Sequence, residues 1–115
     1  MTNVDFNLPV AFHPGEYLKM ELEARNIKQK DFAEILGISG VEISMIVNGK
    51  RNITPRLAAR IGEAFGTGPE LWINFQTAYD LWLIRQNKEE VKVLNNIPKK
   101  LQMFYHNAPD LVAAI

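Results

Sequence analysis

Residues 29–48, with the sequence QKDFAEILGISGVEISMIVN, constrain the fold more than any other stretch of this chain. Phe32, Ala33 and Leu36 mark the apolar face of one short helix, and a second helix begins after Ser39. Gly37 lies between the two helices and permits the left-handed turn that a β-carbon would penalise. This spacing is typical of a helix-turn-helix, a motif that places its second helix in the major groove of DNA.

Composition sets the class of protein. The 115 residues suit one domain, and 47% hydrophobic with 23% charged residues predicts a globular chain. The 13 basic and 13 acidic residues cancel, so DNA binding would need local clustering of charge. Cysteine is absent, which excludes disulfides and thiolate sites. Because no apolar run reaches ~20 residues and no basic region precedes an apolar one at the start, we expect a cytoplasmic protein without membrane contact.

Helix-start and helix-end residues divide the rest of the chain. Pro14 suits the first position of a helix, Thr54 and Pro55 form a cap and first turn, and Gly66 ends the helix they begin. We therefore predict an all-α, five-helix, repressor-like domain with helices at about 14–26, 29–36, 40–47, 55–65 and 69–85. The domain would occupy residues 13–85, between an extended segment at 1–12 and a C-terminal extension at 86–115.

The two extensions carry weaker patterns. Apolar residues from Phe6 to Phe12 alternate with other residues, which is typical of an extended segment, and Pro9 argues against a central strand. After the fifth helix, residues 95–98 (Asn-Asn-Ile-Pro) predict a break, followed by a short helix around Leu101, Phe104 and Tyr105. We expect both extensions to cover core surface of their own protomer.

Ten residues are expected to contact DNA. Gln29 begins the second helix, where an amide can bond a phosphate. Ser44 faces outward from the third helix and can bond a base edge or a phosphate, while Val41 can meet a thymine methyl group. Lys50 and Arg51, in the loop that follows, suit phosphates, and the alternative for this pair is a solvated turn. The full set is Lys28, Gln29, Ser39, Gly40, Val41, Ser44, Met45, Asn48, Lys50 and Arg51.

Glu42 has two interpretations. A carboxylate on a recognition helix can accept a hydrogen bond from cytosine, but Ser39 and Glu42 also have the spacing of a capping box, in which each side chain bonds the other's backbone amide. We favour the capping box. The recognition surface then has no Arg, Asn or Gln between Ser39 and Val47. Direct base readout is therefore expected to be weak, and DNA shape and phosphate contacts are expected to carry more of the binding.

Several motifs follow one another along residues 13–82. They are His13-Pro14-Gly15-Glu16 with Leu18, the segment 29–48, Val47-Asn48-Gly49-Lys50-Arg51 with Ile53-Thr54-Pro55, and Ala64-Phe65-Gly66-Thr67 followed by Pro69-Glu70 with Trp72, Asn74, Gln76 and Tyr79-Asp80-Leu81. Together they resemble the HigA-type antitoxins, a branch of the Xre/Cro-repressor-like regulators. The resemblance implies a dimeric repressor-like domain that binds double-stranded operator DNA, represses its own operon and partners a HigB-type ribonuclease toxin.

Two positions depart from the pattern of that family. Lys28 replaces the Ser or Thr that usually caps the second helix, so this helix start is weakened, although a lysine can supply a phosphate contact. Gly40 and Val41 replace polar residues that are common at the front of the recognition helix. The resemblance therefore does not carry over to this chain an operator sequence or the strength of operator binding.

The sequence has more apolar residues than one small core needs, and we predict that the surplus forms surfaces for partners. A single helix-turn-helix with neutral net charge should bind DNA weakly, so we expect a homodimer. Its interface is predicted on the fifth helix, at Trp72, Phe75, Tyr79 and Trp82, with the alternative that this stripe is core. For the toxin we expect the apolar strip at 1–12 together with the first helix, with the alternative that the strip packs on its own domain.

The sequence predicts a protein that is not an enzyme and that uses no cofactor or metal. His13 and His106 lie far apart, and the position of His13 before Pro14 indicates a local capping or packing role. Asn48-Gly49-Lys50 lacks the other residues of a phosphate-binding loop. Two alternatives to an antitoxin stay open: a stand-alone transcriptional repressor, and a protein-interaction module with reduced DNA affinity, which Gly40 and Val41 would allow.

Overall fold

The computed structural model describes residues 10–108, which form six α-helices and no strand. The helices are α1 Pro14–Ala24, α2 Gln29–Leu36, α3 Gly40–Val47, α4 Pro55–Phe65, α5 Pro69–Gln86 and α6 Lys88–Asn107. The all-α prediction is confirmed, and α2, α3 and α4 have the predicted bounds. The helix α1 ends two residues earlier than predicted, because Asn26 adopts a left-handed φ of 55° and the Ile27 N–H donates back to the Leu22 carbonyl.

Contacts divide the described residues into two compact units, Val10–Leu81 and residues 82–108. The first unit contains the main hydrophobic core, to which five helices contribute large buried side chains: Leu18, Phe32, Ile43, Ile46, Leu57, Ile61 and Trp72. Burial of each such side chain stabilises the fold by about 1.5–3 kcal/mol. The predicted domain limits at 13–85 and 86–115 stay a prediction.

Two glycines allow helices of the first unit to approach at backbone distance. In α1, a β-carbon on Gly15 would lie 2.8 Å from the backbone carbonyl carbon of Ile46 in α3. In α4, a β-carbon on Gly62 would lie 2.7 Å from the backbone nitrogen of Pro69, where α5 begins. Because α3 is held this closely against α1, the direction of its outward face is fixed by the core.

The turn between α2 and α3 has the geometry that the sequence predicts. Gly37 has a φ of 70°, and the backbone N–H of Ile38 donates to the Ala33 carbonyl at 3.0 Å. Arg60 of α4 adds a bond, since its Nη1 donates to the Leu36 carbonyl at 3.0 Å. The guanidinium satisfies a carbonyl that the end of α2 leaves without a helical partner, and its charge suits the helix C-terminus.

The unit at 82–108 differs from the prediction. Instead of breaking at residues 95–98, α6 runs without interruption from Lys88 to Asn107 and contains Pro98. Asn87 caps this helix, with its Oδ1 accepting from the Glu90 N–H at 3.1 Å. A proline within a helix removes one hydrogen bond and crowds the carbonyl four residues earlier, which can kink a helix without ending it. Several apolar side chains of α6 are exposed: Val93, Ile97, Leu101, Met103 and Phe104.

The predicted extended segment is described only at its end. Residues 1–9 lie outside the described residues, while Val10 and Phe12 are exposed and belong to no helix or strand. Within residues 10–108, no helix is both long and apolar enough to cross a membrane.

Candidate nucleic-acid interface

The first turn of α3 is capped and open to solvent. Ser39 has extended backbone angles, and its Oγ accepts from the Glu42 N–H at 3.0 Å. A β-carbon on Gly40 would meet no atom within 4 Å, and Val41 is 70% exposed. Among residues 10–108, therefore, no atom lies close enough to Gly40 to block entry of this end of the helix into a groove.

Ser44 and Asn48 form one polar unit at the other end of α3. The Nδ2 of Asn48 donates to the Ser44 carbonyl at 2.8 Å and also approaches the Ser44 Oγ at 3.4 Å. The serine hydroxyl keeps its own proton for a further acceptor, and the asparagine Oδ1 keeps its lone pairs. Met45, between them, is half-buried. Ser44 and Asn48, both predicted to contact DNA, are therefore held together by these bonds before any DNA is bound.

The loop after α3 folds back on the helix. Gly49 has a φ of 74°, and the backbone N–H of Lys50 donates to the Met45 carbonyl at 2.8 Å. This bond occupies one of the carbonyls that a helix C-terminus leaves without a helical partner. The exposed side chain of Lys50 is consequently carried on a fixed backbone.

Glu42 lies between two arginines, one of which the sequence did not single out. The Nη1 of Arg51 lies 3.2 Å from the Glu42 Oε2, and the Nη2 of Arg56 lies 3.3 Å from the same oxygen. The predicted capping box is therefore only half formed, because Ser39 caps as expected while the carboxylate bonds guanidiniums instead of the Ser39 N–H. One signal for Arg56 existed in the sequence: a cation in the first turn of α4 is disfavoured by the helix dipole unless an acid compensates it.

The start of α2 is exposed at Lys28 and Gln29. Lys28 occupies the N-cap position and makes no side-chain capping bond, in agreement with its departure from the family's Ser or Thr. Both side chains extend from the amino end of α2, where unpaired backbone N–H groups favour an anion.

Two buried polar residues support this surface from below. His13 caps α1, with its Nδ1 accepting from the Gly15 N–H at 2.9 Å, so the capping role predicted for it is confirmed. Its ring would lie 3.7 Å from a β-carbon on Gly49, directly under the loop. Gln76 of α5, which the sequence matched to the family motif without assigning it a role, accepts from the Ile53 N–H at 2.7 Å through Oε1. The Ile53 end of the loop is thus bonded to the core, and the His13 ring lies next to its Gly49 end.

The four aromatic residues of α5 that were predicted to form a dimer interface differ in burial. Trp72 is 1% exposed, donates from Nε1 to the Thr67 Oγ1 at 3.2 Å and packs against Phe65. The prediction that Trp72 lies at a dimer interface is therefore wrong, because this ring fills the core. Phe75 stacks on Tyr17 with centroids 4.2 Å apart. Phe75, Tyr79 and Trp82 are half-buried, and their part in an interface stays a prediction.

Comparison with known proteins identifies relatives of this chain. The helix-turn-helix family model HTH_3 matches residues 18–72. Antitoxin HigA-1 of Vibrio cholerae is 39% identical over 77 residues, which cover 66% of this chain and 72% of the relative.

Two solved structures share the fold at substantial identity. An addiction module antidote protein of a HigA family from Coxiella burnetii is 34% identical, with a TM-score of 0.67, and the match covers 73% of this chain and 94% of that one. The Pseudomonas aeruginosa antitoxin HigA, solved with the higBA promoter, is 35% identical, with a TM-score of 0.60, and the match covers 62% of this chain and 78% of that one.

Proposed function

The chain belongs to the HigA-type branch of the helix-turn-helix family, a family of non-enzymatic regulators, and from this premise we propose that it is a DNA-binding antitoxin that represses its own operon. The observation that carries the proposal is the capped and open first turn of α3, with Gly40 unobstructed and Val41 exposed. The P. aeruginosa antitoxin HigA, solved with the higBA promoter, supports DNA binding by this chain.

On DNA, α3 lies in the major groove and its neighbours contact the backbone. Val41 meets a thymine methyl group, and the Ser44 hydroxyl donates to a base edge or a phosphate. Lys50 contacts a phosphate from the loop, and Gln29 contacts one from the start of α2. Lys28, Ser39, Gly40, Met45, Asn48 and Arg51 complete the predicted surface.

The protein acts as a homodimer on a site with two halves. One such surface offers few bidentate base contacts, so two copies are needed for useful affinity. The half-sites lie about one helical turn apart, roughly 34 Å.

Mobility shifts on the gene's own upstream DNA test this proposal. Lys50→Ala weakens binding to this duplex and to a scrambled one alike and flattens the salt dependence by about 0.9 in log–log slope, as loss of one phosphate contact does. Lys99→Ala, an exposed lysine of α6, is the matched control and changes neither value. Ser44→Ala weakens the upstream site more than the scrambled duplex. A Lys50→Ala variant that altered sequence preference at constant slope would contradict these roles.

The antitoxin activity is neutralisation of a HigB-type ribonuclease toxin, and it does not need an intact recognition helix. We assign the toxin to the strip at 1–12, whose sequence alternates apolar residues, together with α1, where Met20 is exposed. Coexpression of the adjacent toxin gene with a variant lacking residues 1–12 tests the surface. Full rescue of growth by this variant removes the strip from the account, and failure of the intact protein to rescue removes the toxin partner.

A second candidate is a protein-interaction module with reduced DNA affinity. It is favoured by the apolar side chain of Val41 at the tip of α3 and by the Glu42 carboxylate that pairs with two arginines. A stand-alone repressor is the third candidate. The neighbouring reading frame discriminates between an antitoxin and a lone repressor, while the mobility shift separates the interaction module from both.

A further inference from the structure

The Glu42 carboxylate is the most enclosed charge on the predicted DNA-binding surface. Its side chain is 15% exposed, whereas those of Arg51 and Arg56 are 46% and 53% exposed. Both guanidiniums form ion pairs with a single carboxylate oxygen, Oε2, at 3.2 and 3.3 Å. The carboxylate comes from the first turn of α3, and the arginines come from the loop and from the first turn of α4. One acid therefore connects three segments of this surface.

This arrangement sets a competition between a carboxylate and DNA phosphates. A guanidinium that bonds Glu42 donates fewer of its N–H groups to a phosphate. Binding to random DNA depends almost wholly on phosphate contacts, and binding to a specific site uses phosphate contacts as well as contacts to base edges. An internal competitor for the arginines therefore weakens binding to either kind of DNA.

We propose that Glu42 holds Arg51, which is otherwise a predicted phosphate contact, and Arg56 away from phosphates and thereby lowers the affinity of this surface for the DNA backbone, whatever the base sequence. This inference rests on the proposed DNA-binding function and adds to it a residue that weakens binding. It also gives the acid at this position a role that neither a capping box nor a cytosine contact supplies. The partner concerned is the phosphate backbone of double-stranded DNA.

The test compares Glu42→Gln with the unmodified protein by fluorescence anisotropy over a salt series. The probes are the gene's upstream duplex and a scrambled duplex of equal length. Glu42→Gln keeps the size of the side chain and releases the arginines. If one further phosphate contact forms, the slope steepens by about 0.9 and binding to the scrambled duplex tightens about eightfold at about 0.1 M salt. The upstream duplex tightens by a similar factor, because a phosphate contact is common to both complexes.

Two sets of variants distinguish this role of Glu42 from an effect of net charge and from an effect on folding. Glu63→Gln makes the same change in charge on an exposed position of α4 and leaves the slope unchanged. In an Arg51→Gln/Arg56→Gln background, Glu42→Gln adds nothing to the slope, and Glu42→Asp, which keeps the charge, retains the slope of the unmodified protein. An equal gain from Glu63→Gln, or a gain that persists without the two arginines, overturns the inference.

The proposed function and the inference fail in different ways. If the unmodified protein binds neither duplex at low salt, the DNA-binding function itself is overturned, and the inference with it. If the unmodified protein prefers its upstream duplex but Glu42→Gln weakens both duplexes equally at constant slope, Glu42 is only structural and the DNA-binding function stands.

Discussion

Replacing Gly15 with alanine should destabilise the protein far more than the size of one methyl group suggests. The new β-carbon would lie 2.8 Å from the Ile46 carbonyl carbon and closer still to its oxygen, inside the 3.4 Å at which ordinary contact begins. The obstacle is backbone, so no side-chain rotation relieves it, and α1 must move away from α3. Overpacking of this kind costs about 1–3 kcal/mol and occasionally more. We expect about 3 kcal/mol here, because a rigid carbonyl yields less than a side chain.

The alanine also brings a gain that partly offsets this cost. Replacing glycine within a helix stabilises it by about 0.5–1 kcal/mol through chain entropy. The net loss for Gly15→Ala is therefore about 2–2.5 kcal/mol, and the melting temperature of a domain of this size should fall by roughly 10–20 °C. Urea unfolding followed by circular dichroism measures the loss directly, and an unchanged m-value would show that the denatured state is unaffected.

Gly40→Ala is the matched control. The same substitution, also in the first turn of a helix, places a β-carbon where no atom lies within 4 Å. It should leave stability unchanged or raise it by up to about 1 kcal/mol. If the free energy of unfolding of Gly15→Ala lay within about 0.5 kcal/mol of that of the unmodified protein, the close approach of α1 and α3 would be refuted. A clash with backbone can be relieved only by moving a helix, which costs more than this.

Three further predictions concern individual contacts. Ser39→Ala removes the cap of α3 and should lower the free energy of unfolding by about 1 kcal/mol in urea titrations; no loss would mean that the cap bond is not formed in solution. Gln76→Leu leaves the Ile53 N–H without its acceptor and should cost about 1–3 kcal/mol, whereas Gln102→Leu on the exposed face of α6 should cost nothing measurable. Light scattering should give the mass of a dimer at micromolar concentration, and a monomer would count against the homodimer.

Local signals explain why the helix-turn-helix was predictable. Ser39 and Thr54 cap their helices by bonds to residues three positions ahead, and Gly37 and Gly66 take up left-handed angles at the ends of theirs. Each of these effects acts within a few residues, so the sequence pattern alone contains it. The bounds of α2, α3 and α4 followed from them.

The errors arise where distant residues or competing preferences decide. Residues 95–98 predict a break, but α6 runs through Pro98, since a proline can kink a helix without ending it. The helical spacing of apolar residues places Trp72 on an apolar face, but it does not indicate whether that face packs into a core or against a partner. The pairing of Glu42 with Arg56 spans fourteen residues and depends on how α3 and α4 pack, which no local pattern contains.

The bond from Ile53 to Gln76 has a consequence for how the loop behaves over time. An amide proton in a loop normally exchanges rapidly with solvent, but this one is buried and donates to a side chain of α5. Its exchange rate therefore reports the opening of the loop against the core, separately from the fraying of any helix. A slow rate would mean that the backbone carrying Lys50 is ordered before DNA arrives. Binding would then lose little chain entropy in this loop, so more of the contact energy would be retained as affinity.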